Sequence, residues 1–213
     1  MSFELNLQES VKAVMTNVLG GCAVVVTGLA SVTAVLPLYA QPVGIAINEV
    51  PAHKQFALHH YISSQEATAL LEVDPDILFI DVRDTAEVDA SGRPQQVDAI
   101  VPVHVQIDVF DETLQEHILA PNPDFLDQMA VLVSAKGKNR DSLIILTCGS
   151  GFRSAIAASI LADAGYTNVW HIPEGHTGDE TNGLDGQNAW QLAGLAWTDE
   201  PFDDSLQAQL IKH

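Results

Sequence analysis

The chain has 213 residues, of which 47% are hydrophobic and 17% charged, enough apolar material for one domain with a buried core and too much for a disordered chain. Its formal net charge is -19, from 28 acidic against 9 basic side chains. A body this acidic lacks the cations that displace counterions from a phosphate backbone, so nucleic acid is excluded as a partner. There are two cysteines, Cys22 and Cys148, and no repeat of fixed period.

In chain order, residues 1–40 read as a signal peptide or, if uncleaved, a membrane anchor. Lys12 precedes an uncharged stretch from Ala13 to Asn48, and Pro37-Leu38-Tyr39-Ala40 offers a cleavage position. Export, with a periplasmic location, is the expectation; an uncleaved leader would be the one link to a membrane. Cys22 lies in that leader, so a processed chain keeps a single thiol, which points to a reactive cysteine. Residues 41–58 carry few signals and read as a linker.

Ser63-Ser64-Gln65-Glu66 has the spacing of a capping box, with Ala67, Leu70 and Leu71 following on one helical face. Ile77 to Val82 reads as a buried strand, and a second strand is expected over Ala99–Ile107. A helix is expected from Asp124 to about Ala135, then a third strand over Leu143–Thr147. Ile156, Ala157, Ile160, Leu161 and Ala164 recur at helical spacing until Gly165 stops the helix. Asn168 to Ile172 gives a fourth strand. Strands alternating with helices imply an α/β domain with a mainly parallel central sheet flanked by helices on both faces. Ligands of such sheets bind beyond the carboxyl ends of the strands, which is where Cys148 falls.

Cys148 follows one strand directly and precedes a helix directly. Gly149, Ser150 and Gly151 let the backbone curl until successive amides converge on one point. The helix start adds its positive end, and Arg153 adds a full positive charge. All three favour a sulfur anion, so the loop is expected to be an anion cradle around an activated nucleophile. The eight histidines form no His-x-x-x-His pair, and the neighbours His59 and His60 point apart. No metal and no cofactor is assigned. Asp179, Glu180 and Asp185 raise the thought of a calcium loop in the stretch 176–187, but the ligand spacing is incomplete.

Cys148-x4-Arg153-Ser154 at a strand-to-helix turn resembles the active-site loop of rhodanese domains. Leu78-Phe79-Ile80-Asp81-Val82-Arg83 resembles that family's early strand motif, and Gly165-Tyr166-Thr167-Asn168-Val169 the turn after its active-site helix. Glu174-Gly175 and Ala189-Trp190-x-x-Ala193-Gly194-Leu195 resemble its closing signature. The resemblance implies a rhodanese-like domain over 59–197 with a C-terminal tail over 198–213. It also implies a sulfurtransferase moving sulfane sulfur, from thiosulfate or a persulfide, to a thiol or cyanide through a Cys148 persulfide. In that reading Cys148 and Arg153 are catalytic. The backbone of Gly149, Ser150, Gly151, Phe152 and Ser154 binds the sulfur, and Asp81 and Arg83 brace the loop. The partners implied are a small sulfur donor and a thiol acceptor, or a redox protein. A noncatalytic sulfur-relay module and a cysteine phosphatase or arsenate reductase stand as alternatives.

Three departures from the family pattern stand out. Gly149 replaces the arginine that many such loops carry after the cysteine. Asp98-Ala99-Ile100-Val101-Pro102-Val103 replaces a Gly-His-Ile-Pro-Gly-Ala-like stretch, and residues 176–187 widen the gap before Trp190.

Overall fold

The structure is a computed structural model that describes residues 41–113, 115–178, 189–202 and 210. The expected leader over 1–40 and the acidic residues Asp179, Glu180 and Asp185 lie outside the described residues. Among the described residues no helix is long and apolar enough to cross a membrane.

The centre is a four-stranded parallel sheet in the order β3-β1-β6-β7, made of β1 (Leu78–Asp81), β3 (Ala99–Ile100), β6 (Ile144–Thr147) and β7 (Val169–His171). β1 and β6 are buried at every position, the pattern of strands covered on both faces. Their side chains still sort with period two. Leu78, Ile80, Ile144 and Leu146 pack against α3 (Phe125–Ala135) and α4 (Phe152–Asp163). Phe79 and Ile145 face the opposite side, with α1 (Ser64–Val73) and Trp190. The expected α/β architecture with helices on both faces is what the chain adopts.

Ser63 caps α1 as its spacing predicts, its hydroxyl accepting from the Glu66 amide at 3.2 Å. The second half of the box is absent. The Glu66 carboxylate instead accepts from the amides of Val43 and Gly44. That contact begins a larger correction, because residues 41–58 do not link but pack. Two short 3-10 turns, Ile47–Glu49 and Ala52–Lys54, bring Val50, Lys54 and Phe56 into the interior. At the other end Leu210, expected in a tail, is buried and its carbonyl accepts from the Gln128 side chain at 2.9 Å. The packed body thus extends past both limits of 59–197.

The single strand expected over Ala99–Ile107 is two elements. β3 stops at Ile100, and Pro102, which has no amide to donate, sits between it and β4 (His104–Asp111). β4 turns back through β5 (Glu116–Pro121) as an antiparallel hairpin outside the central sheet. A further helix, α2 (Thr85–Ser91), is capped by Asp84, whose carboxylate accepts from the Ala86 amide at 2.9 Å. Next to it β2 (Arg93–Pro94) pairs with β8 (Trp197–Thr198).

Candidate active site

Cys148 lies just past the carboxyl end of β6, and α4 begins four residues later. The thiol is fully buried and belongs to the same apolar cluster as Val82, Val101 and Val103. Two amides point at its sulfur, Gly151 N at 3.2 Å and Ser154 N at 3.4 Å. The Ser154 hydroxyl lies 3.7 Å from the same sulfur. Both amides sit where the chain enters a helix, so neither has an intrahelical partner to lose.

The loop takes this shape because two glycines permit close approaches that no side chain could. Gly151 has φ of 84°, and a Cβ there would stand 2.1 Å from the Pro173 carbonyl oxygen. Gly175 has φ of 67°, and its Cβ would stand 2.3 Å from the Gly149 oxygen. Through that contact residues 175–177 clasp the loop from behind. His176 N donates to the oxygens of Cys148 and Gly149, and Thr177 N to that of Gly149, at 2.7–3.0 Å. The clasp is itself tied down, since Trp190 N donates to Gly175 O and Gln191 N to His176 O. Trp190 stacks on Phe79 with ring centres 5.2 Å apart.

Arg153 does not stand free. Its guanidinium forms a two-pronged ion pair with Glu87 of α2, at 2.6 and 2.8 Å. Burial works against the Arg153 charge, but the Glu87 pair outweighs it and lifts the arginine above its ordinary value. Asp81 and Arg83 form a second fork, with Arg83 Nε and Nη2 on the Asp81 carboxylate at 2.8–3.1 Å. Arg83 also donates to Ser91 Oγ and Gly92 O, fastening α2 to the end of β1. Gly149 and Ser150 are half-buried in the loop, and Phe152 is exposed beside the His53 ring.

Four residues near the loop were given no role at the site from the sequence, although Glu174 was noted in the closing signature. His176 is buried, its Nε2 2.9 Å from Thr147 Oγ1, and burial pushes its pKa down to about 3. His171 is likewise pushed down to about 3 by burial. Its Nε2 faces the Lys54 carbonyl at 2.9 Å, which only accepts, so Nδ1 is left bare towards Ser154 Oγ at 3.3 Å. Lys54 is buried with Nζ donating to Pro173 O at 3.1 Å. Beside it the Glu174 carboxyl is pushed up to about 7 by burial, and its Oε2 has no hydrogen-bond partner. Neutral imidazoles and a lysine within a linker-like stretch leave no pattern in the sequence. Glu87 also went unassigned, because its partner Arg153 lies 66 residues away in the chain and Arg83, four residues before it, precedes α2.

A parallel sheet covered on both faces, with a cysteine in an amide-lined turn at a strand end, defines the class. The chain belongs to the rhodanese-like domain family, whose model matches residues 63–179. It is similar to an uncharacterized protein of Rickettsia prowazekii, 25% identical over 136 residues that span 64% of this chain and 94% of that one. An uncharacterized protein of Rickettsia conorii is 32% identical over 76 residues, 36% of this chain and 55% of the other. Among solved structures, the polysulfide-sulfur transferase homodimer of Wolinella succinogenes is 22% identical, with a TM-score of 0.40 over 65% of this chain and 77% of that one. The thiosulfate sulfurtransferase of Pseudomonas aeruginosa is 19% identical, with a TM-score of 0.43 over 65% and 20%.

Proposed function

We propose that this protein is a sulfurtransferase that carries sulfane sulfur as a persulfide on Cys148. The observation that carries the reading is the pair of amides, Gly151 N and Ser154 N, aimed at the sulfur from the start of α4. Such donors stabilise a sulfur anion without any rearrangement during reaction.

In the first step the Cys148 thiolate attacks the outer sulfur of the donor. A sulfur–sulfur bond forms at Sγ, the donor's own bond breaks, and its electron pair leaves with sulfite or a thiolate. In the second step an acceptor thiolate, or cyanide, attacks the same outer sulfur and returns Cys148 as thiolate. No electrons are gained or lost overall, so no redox partner is required. The first amides of α4, Phe152 N and Arg153 N, have no partner within the helix and are the natural donors to the terminal sulfur. Arg153 follows Cys148 by five residues, one fewer than in phosphatase loops, which suits a single sulfur atom better than a phosphoryl group.

The test is intact mass after incubation with a sulfane donor. A gain of one sulfur atom is expected, absent in Cys148→Ser, together with negligible aryl-phosphate hydrolysis. Phosphate-ester cleavage that depends on Cys148, with no sulfur uptake from any donor, would overturn the assignment.

A further inference from the structure

Resting on the sulfurtransferase reading, we infer that Glu87 is a specificity-determining residue that turns this site away from dianionic donors such as thiosulfate and towards singly charged or neutral sulfane donors. The ion pair of Arg153 and Glu87 lies over the loop itself. A Cβ on Gly149 would meet Arg153 Nη2 at 3.6 Å and Glu87 Oε1 at 3.8 Å, so the pair sits against the residue that follows the nucleophile. Both oxygens of Glu87 are used on Arg153, one on each nitrogen. The guanidinium therefore presents its fork to a carboxylate of the protein, the geometry in which it would otherwise receive an oxyanion.

The neighbouring charges do not make up the difference. Arg83 is engaged by Asp81, and position 149 has no side chain. His171 and His176 are neutral near pH 7, with values near 3. Lys54 donates to Pro173 O. Glu87 also lines a cleft of about 680 Å³ between the β4–β5 hairpin and the start of α2, and the other acidic groups there are Asp84 and Asp111. A dianion arriving from that side meets carboxylates and must displace one to reach Arg153. A donor whose outer sulfur carries less charge need only reach the amides of the loop.

The chemistry is the two-step transfer above, unchanged in its atoms and electrons, with only the donor at issue. The experiment compares thiosulfate, a dianion, with methanethiosulfonate, a monoanion that leaves as sulfinate. Cyanide is the common acceptor, and thiocyanate is the readout. For wild type, Glu87→Gln and Glu87→Ala, the quantity read is the ratio of kcat/KM for thiosulfate to that for methanethiosulfonate. Because it is a ratio, a loss of folded protein or of nucleophile reactivity leaves it unmoved. Removing one carboxylate charge beside a partly buried arginine should raise the ratio by about tenfold or more in both variants. A ratio that stays within about twofold of wild type in both, while Cys148 still gains sulfur from both donors, overturns the role of Glu87 alone. Failure of wild-type Cys148 to gain sulfur from either donor overturns the sulfurtransferase reading itself, and this inference with it.

Discussion

Three glycines allow the cost of closing the Cys148 loop to be separated into its parts. Gly151 combines a left-handed backbone, φ of 84°, with a Cβ position only 2.1 Å from Pro173 O. Gly137 has φ of 66° but nothing within 4 Å of its Cβ position, so Gly137→Ala isolates the backbone term, about 1–2 kcal/mol. Gly149→Ala isolates contact alone, at ordinary distances of 3.6 and 3.8 Å and against two flexible side chains, and should change stability by no more than about 0.5 kcal/mol. Gly151→Ala adds to the backbone term an overlap with main chain, which cannot rotate away and costs about 1–3 kcal/mol more. Its total of about 2–5 kcal/mol corresponds to a fall in Tm of roughly 5–15 °C for a domain of this size. Urea unfolding of the three variants measures the differences, with intact mass after sulfur loading as the second assay. Gly151→Ala should also lose most sulfur uptake, because the amide it displaces is one of the two on Sγ. A Gly151→Ala protein no less stable than Gly137→Ala would refute the argument that the approach of Pro173 fixes the loop.

Further outcomes follow from the buried groups. Phe56→Ala in the full chain should cost about 3 kcal/mol or more by chemical denaturation, since Phe56 is buried edge-on against Tyr61 and His171; a linker residue would show almost none. Glu174 is pushed up to about 7 from 4.5, so between those values the folded state holds a proton that the unfolded state releases, and stability from this group is lost as pH rises. His171 and His176, near 3 instead of 6.5, act in the opposite sense and lose stability as pH falls below 6.5. Glu174→Gln removes the opposing proton, so between pH 5 and 6.5 stability should fall on acidification more steeply than in wild type, by about 1.4 kcal/mol per pH unit. Parallel denaturation profiles for the two proteins over that window would contradict the assignment of Glu174 as a protonated buried carboxyl.

The central sheet was legible because burial and sequence agree there. Ile77 to Val82 and Leu143 to Thr147 are short apolar runs, and they become β1 and β6. The strand-to-helix turn after β6 was legible for a different reason: Gly151 is needed by geometry, and the helix after it carries apolar residues at regular spacing. The β4–β5 hairpin was not legible, because Val109, Phe110, Ile118 and Leu119 are exposed and mark no buried face. Its turn also lacks the usual glycine, and Gln115 takes the positive φ of 57° instead. Residues 41–58 were misread because their contacts are made by single residues far apart in sequence, such as Lys54 with Pro173 and Val43 with Glu66. Arg153 does lie against Gly149, but its engagement by Glu87 depends on where α2 lands, which no local spacing states.

The two margins of the central sheet bear on how this chain behaves in a crowd of its own copies. A sheet margin with unpaired amides and carbonyls is a template on which another chain can add a strand. Here β3 is only two residues long, Ala99–Ile100, too short to seat a partner. At the other margin the chain lays its own residues 60–62 beside β7, with His171 N donating to His60 O and Ile62 N to His171 O. Tyr61 O is then taken up by Ile45 N at 2.7 Å, so the covering strand is itself covered. The segment that resembled a linker thus helps to end the sheet on the β7 side, where strand addition meets backbone that the fold supplies itself, while on the β3 side only the shortness of the strand opposes it.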